Sequence, residues 1–288
     1  MRILASLLLV SAACGDGGGG SSSGAPDGSS AADGSGPDVP AGTPDIVVHQ
    51  RSIDGSSIDA SVFAAWWVTP LPDPYHVVSE SGPCVLTAVA PYDCDGFCEA
   101  FCIDGECLPY PDGRPAGTLT VSGGEREVEA TEADGTYSFY QGSPLFSAGD
   151  RVVATATGDQ FPAFEVETRA VADLEVPGID DLRLEAGEDF RIEWTPADAE
   201  SRVRLRLESD QHGQYSPTVI ECDVPDAAGA ITVAGDMIRE FWATPGQCGE
   251  CATQNLVRYS RGVARAGDEM VLLEYASRVS FYPYSLRL

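Results

Sequence analysis

Three sets of residues in this sequence have the types and spacing that chemistry requires. The first is "CGEC", Cys248 to Cys251, with Cys222 upstream. A redox Cys-x-x-Cys needs a helix N-terminus that follows a strand in a βαβ setting, and no βαβ pattern surrounds this one. Three thiolates and the imidazole of His212 would also suit tetrahedral zinc. The plainer reading is structural: Cys222 bridges to Cys248 or Cys251, and the other of that pair reaches the first cysteine cluster. That first cluster is the second set, "CDGFCEAFCIDGEC" from Cys94 to Cys107. Asp93, Asp95, Asp104 and Glu106 are hard oxygen donors of the kind calcium takes. Their spacing fits no EF-hand loop, so they read as solvated turn carboxylates in a disulfide knot. No metal and no cofactor is expected.

The third set is aromatic. Trp66, Trp67 and Tyr75, with Tyr282 and Tyr284 near the end, have the planar faces on which a sugar stacks. Adjacent residues of a strand face opposite ways, so one of Trp66 and Trp67 is expected to point outward. These rings are the ligand-binding candidates. The stripe Arg202, Arg204 and Arg206 could meet an acidic partner, and pairing with carboxylates such as Glu193 or Glu221 is the plainer reading.

Classical catalytic arrangements are missing from the text. His49, His76 and His212 lie far apart, none lies in HExxH, and no GxSxG elbow is present for a serine nucleophile. All 17 basic residues are arginine, which excludes lysine Schiff-base chemistry and a Walker lysine. Among 45 acidic residues some pairs must fall close, so a hydrolase with an unmarked carboxylate site is the last alternative. The expectation is a protein that is not an enzyme.

The elements that would position these residues are strands. "GTLTVSG", "REVEATE", "GTYSFY", "DRVVATATG" and "AFEVETRA" are short, β-branched or alternating, and bounded by Gly, Asp or Pro. "EADGTY" predicts a hairpin turn. "IDASVFAAWWV" reads as one strand and "TPLPDPYH" as a proline-rich turn. Further on, Leu182, Leu184, Phe190, Ile192 and Trp194 share one face. In "RVRLRLES" the residues Val203, Leu205 and Leu207 point inward and the arginines outward, a register that a slip of one residue would invert. "AGDMIREFW" predicts one or two helical turns, and "EMVLLEYASRVSFYPYSL" one or two strands. The fold class expected is all-β: one or two antiparallel β-sandwich-like domains with a small disulfide-rich loop region, preceded by a disordered linker.

The linker follows from composition. Residues 15–45 are mostly glycine, serine, aspartate and proline with almost nothing for a core, so ordering them is not compensated. Such a chain reaches roughly 30 Å. The net charge of −28 excludes nucleic acid, which is bound through basic patches. Of the nine cysteines, setting Cys14 aside leaves an even number: Cys84, Cys94, Cys98, Cys102, Cys107, Cys222, Cys248 and Cys251. All are disulfide candidates, as suits an oxidising compartment. The two clusters each hold an odd number, so either one bridge crosses between them or each keeps a free thiol.

The first residues give the location. Arg2, the apolar run Ile3 to Val10 and the small Ser11-Ala12-Ala13 have the order of a secretory signal, too short to span a membrane. The cysteine that follows resembles the lipobox of bacterial lipoproteins, with Ser11 where that family carries Leu or Val. The resemblance implies a diacylglyceryl group on Cys14 and an anchored, exported protein at the cell envelope, on the outer membrane or cell surface. "FRIEWTPAD" followed by "RVRLRLES" resembles strands of fibronectin type III and related Ig-like domains. "AGTLTVSGG", "PLFSAGDRVVATATGDQFPAFEVET", "WTPAD" and "VIECDVPD", in that order, are similar to uncharacterised secreted lipoproteins of myxobacteria and their relatives.

The organisation expected is a signal over 1–13 and the lipidated cysteine with its linker over 14–45. An N-terminal β domain with the cysteine cluster (84–107) follows over 46–172, then an Ig/fibronectin-III-like domain over 173–288. The function expected is a non-enzymatic surface or structural interaction role. Its partners are the membrane through the lipid and a carbohydrate or protein at the envelope. The alternative is a binding module for a carbohydrate or other envelope ligand.

Overall fold

The computed structural model describes residues 45–53, 57–69, 75–89, 101–103, 105–124, 126–209, 218–243 and 254–282. The signal, Cys14, the linker up to residue 44, Cys94, Cys98, Cys248, Cys251, Asp93, Asp95, Asp104, His212 and Tyr284 lie outside the described residues.

Strands dominate, as the alternating text predicts. In chain order they begin with β1 (Asp45–Ile53), β2 (Ser57–Ala65), β3 (Tyr75–Ser81), β4 (Cys84–Val89), β5 (Phe101–Ile103) and β6 (Glu106–Leu108). Then come β7 (Leu119–Gly123), β8 (Arg126–Ala133), β9 (Thr136–Gln141), β10 (Arg151–Ala156) and β11 (Phe164–Arg169). The last group is β12 (Phe190–Glu193), β13 (Arg202–Glu208), β14 (Thr218–Pro225), β15 (Ala230–Val233), helix α1 (Gly235–Ala243), β16 (Gln254–Ala266) and β17 (Glu269–Phe281). The predicted turn in "EADGTY" joins β8 to β9. Asp134 (φ 51°) and Gly135 (φ 79°) are both left-handed, the conformation a tight two-residue hairpin turn needs.

Thirteen strands form one sheet in the order β11-β10-β7-β8-β9-β2-β1-β17-β16-β13-β14-β4-β3. Neighbours are antiparallel except β1 and β17, which run parallel. The long hairpin β16–β17 is the spine, because both strands extend through both halves of the sheet. At one end the sheet curls back until β11 packs on β16. There Thr168 Oγ1 lies 2.9 Å from Ser260 Oγ, and the backbone of Gly262 meets the carbonyl of Glu167 so closely that a Cβ would sit 1.7 Å from that oxygen.

The apolar residues fall into two main clusters. One holds Ile46, Val48, Val62, Trp66, Leu119, Val121, Tyr137, Phe161 and Val166, with Val271, Leu273 and Tyr275 of β17. The other lies between the sheet and a cover made by the β12–β15 pair and α1. It joins Val203, Leu205, Leu207, Ile220, Cys222 and Leu256 to Phe190, Ile192, Ile231, Met237, Ile238 and Phe241. Cys84 and Leu86 of β4 also belong to this second cluster. The inward set Val203, Leu205 and Leu207 is fully buried, in the register the alternation predicts. Helix α1 is amphipathic, with Met237, Ile238 and Phe241 on its buried side.

Candidate functional site

Facing away from these two cores, strands β1, β17, β16, β13 and β14 carry a row of charged side chains that is unusual for its burial. Its centre is Glu274 of β17, only 4% exposed although it lies in the apolar run "MVLLEYA". Arg204 of β13 donates to it from Nη1 at 3.3 Å and Nη2 at 2.8 Å. Arg261 of β16 donates from Nε at 2.9 Å. Both guanidinium groups also stand over the ring of Tyr259, at 4.9 and 4.6 Å from its centroid. The Tyr259 hydroxyl donates to Asp223, and Arg202 donates to the other oxygen of Asp223 at 2.6 Å. Arg206 pairs with Glu208 and Glu221.

Strand register explains the meeting. Tyr259 lies opposite Arg202 on one side and Ala276 on the other, and Ala276 opposes His49 of β1. Glu274 lies opposite Arg261. The side-chain period of two therefore aims all of these residues at one face.

Electrostatics follow from the geometry. Burial works against the Glu274 carboxylate, but Arg204 and then Arg261 outweigh it and hold its pKa below the usual value. Burial also works against the charged Arg204, and Glu274 more than compensates. Burial and then Asp223 push the Tyr259 hydroxyl up, so it stays protonated and remains a donor. His49 is half-buried, and its Nδ1 is out of contact with solvent, with no hydrogen-bond partner among the described residues. Burial, then Arg278, lowers its pKa from 6.5 to about 4, with Glu274 pulling weakly the other way. At neutral pH it is an uncharged imidazole.

The carboxylates of this face are all engaged. Glu274, Asp223, Glu221 and Glu208 each contact an arginine, so none stands ready as a general base. The arginine stripe is engaged inside the chain, by Glu221 as the sequence suggests and also by Asp223, Glu208 and Glu274. Glu193 pairs elsewhere, with Arg191.

The aromatic candidates separate. Trp66 is corrected from a binding candidate to a core residue: it is 0% exposed and packs among Tyr137, Phe161 and Phe164 at 5.1, 5.4 and 5.7 Å. Trp67 faces the other way, as alternation requires, yet is only half-exposed and forms a β-bridge to Gly113. Tyr75 is half-buried at the start of β3, far in the sheet order from both. These residues do not form one platform.

The cysteines give a second correction. Cys222 bridges to Cys84, its directly opposed neighbour across β14 and β4, and not to Cys248 or Cys251. One bridge does cross between the two cysteine clusters. A thiolate of Cys222 is therefore unavailable to zinc, and the site built on it with His212 falls away. Cys107 is disulfide-bonded, and Cys102 lies opposite it across β5 and β6. Glu106 is exposed on β6. No group of three or more metal-ligating side chains occurs among the described residues.

Sequence reasoning missed Glu274, Tyr259, Arg261 and His49 as one cluster. The available signal was a glutamate inside an apolar strand, which must find a cation when buried.

No known protein family matches the chain, and no curated protein matches it in sequence. Among solved structures, the FN1–FN3 domains of chicken CNTN1 align with 78% of this chain and 76% of that one, at 9% identity and a TM-score of 0.18. A superposition this poor is no more than a weak resemblance to fibronectin type III domains.

Proposed function

We propose that this chain is an exported lipoprotein, anchored by a lipid on Cys14 that the acidic Gly/Ser-rich segment joins to the rest, whose β body has a non-enzymatic interaction role at the cell envelope. The observation that carries the reading is the Cys84–Cys222 bridge. It is buried in the second core and joins residues 138 positions apart, a bond that persists in oxidising compartments. The order of residues 1–14 and their likeness to a lipobox support the anchor. The likeness of "VIECDVPD" and its neighbours to myxobacterial lipoproteins supports the envelope. The mutually satisfied charges of the Glu274 face suit a body that binds rather than one that transfers protons. Burial of Trp66 removes the main support for a sugar platform.

The test is antibody labelling of intact cells that produce the wild type or Cys14→Ala. The reading expects label on the cells with the wild type and soluble protein in the medium or periplasm with the variant. Label that stays with the cells despite the substitution would sink the lipid tether.

A further inference from the structure

The thirteen-stranded sheet has two edges, and they differ. The β11 edge is sealed where the sheet curls onto β16. The β3 edge (Tyr75–Ser81) has no strand beside it among the described residues. An unpaired edge is a template for another strand, and proteins usually guard it with charge or proline. Here its middle instead carries two consecutive exposed valines, Val77 (38%) and Val78 (39%). A bulge also interrupts the edge there, because the register with β4 shifts between Val77 and Ser79.

Two carboxylates flank the valines. Glu80 is exposed on the strand itself. Glu240 of α1 reaches the same edge, where it accepts the Ser79 hydroxyl at 2.7 Å. A second copy of this chain is a poor occupant. Each copy carries −28 and repels the other, and two bulged edges would have to match their kinks. We propose that the β3 edge takes an extended segment of a partner protein in which apolar and basic residues alternate. Its backbone would extend the sheet, its apolar residues would cover Val77 and Val78, and its basic residues would meet Glu80 and Glu240. This deepens the interaction role proposed above and rests on it. A failed Cys14 test would leave the edge chemistry untouched, since that is read on purified protein.

The experiment is amide hydrogen exchange on the full chain, resolved over residues 75–81, with a short alternating valine–lysine peptide as probe. The proposal expects exchange there to slow at least about tenfold on saturation, with a Kd tighter than about 1 mM. A valine–glutamate peptide should have no effect on the wild type. With Glu80→Lys and Glu240→Lys combined, the preference should reverse, and this gain also controls for misfolding. No protection by the lysine peptide would overturn the proposal, as would equal protection by both peptides. Protection that rises with protein concentration alone would show a second copy on the edge and overturn it too.

Discussion

Arg258 Nε lies 3.0 Å from Asp226 Oδ1, and neither side chain has any exposed surface. The remaining hydrogen-bonding capacity of the pair is filled. Arg258 donates to the carbonyls of Ala172, Asp173 and Thr195 at 3.2, 2.7 and 2.6 Å. Asp226 accepts from the Trp194 indole at 2.9 Å and from the amides of Ala197 and Asp198 at 2.7 and 2.8 Å. One ion pair thereby ties the β16 spine to the segment between the two apolar clusters and to the turn after β14. Such a pair is kept only when every group is satisfied.

Breaking it from one side is expected to be costly. Arg258→Met leaves a buried carboxylate without its cation, and Asp226→Leu leaves a buried guanidinium. Each should lower unfolding stability by about 3–5 kcal/mol, measured by urea denaturation. The double variant should lose less than the sum of the two. Additive losses would show that the two residues do not act as a pair.

Acid should destabilise the body in two steps. His49 has a folded pKa depressed from 6.5 to about 4, so its contribution is present above about pH 6.5 and is lost as pH falls toward 4. At about 1.4 kcal/mol per unit, that loss is on the order of 3 kcal/mol. Glu274 is also depressed, so its contribution is present above the ordinary carboxylate range and disappears at still lower pH. Stability measured from about pH 7.5 down to about pH 2 should fall for the wild type. His49→Gln should flatten the curve between 6.5 and 4 and leave the lower step. An imidazole that titrates near 6.5 by NMR in the folded protein would contradict this.

Much of this architecture was legible in the sequence, and the illegible parts share a cause. The strict alternation in "RVRLRLES" fixed which side of β13 is buried, because inversion would bury arginines. The "DG" hairpin and the amphipathic "MIREFW" were equally local. Strand β16 is not local in this sense. Its text "QNLVRYSRGVARA" mixes arginine and glycine into both faces. Arg258 is tolerated inward only because Asp226, distant in the chain, meets it, and Gly262 is required only because β11 crosses there. The cysteine pairing failed similarly. Nearness in sequence pointed Cys222 at "CGEC", while sheet order set β14 beside β4 and so Cys222 opposite Cys84.

That bridge should be a large part of the body's stability. It closes a loop of 138 residues, and constraining the unfolded chain over that length is worth roughly 4–5 kcal/mol. Cys84→Ala with Cys222→Val should therefore lower the denaturation midpoint markedly under oxidising conditions. Reductant should lower the midpoint of the wild type by more than that of the variant, which retains the Cys107 bridge but not this one. A double variant as stable as the wild type would show the bridge to be dispensable, and would weaken the case for an oxidising compartment.

Closure of the sheet on itself can be tested at one atom. Gly262 has the crossing backbone of β11 against its Cα, and an added methyl would lie 1.7 Å from the Glu167 carbonyl oxygen. The obstacle is backbone, so no side-chain rotation relieves it. Gly262→Ala should push β11 away, separate Thr168 from Ser260 and cost roughly 2 kcal/mol or more. The local signature distinguishes this from general damage. Amide exchange should quicken over β11 and the facing part of β16, while β13 and β14, in the other half of the sheet, keep their protection. Uniform quickening would mean that the two halves open together, with the Arg258–Asp226 tie transmitting the strain. No change at β11 would mean that the strand is not held against Gly262 at all.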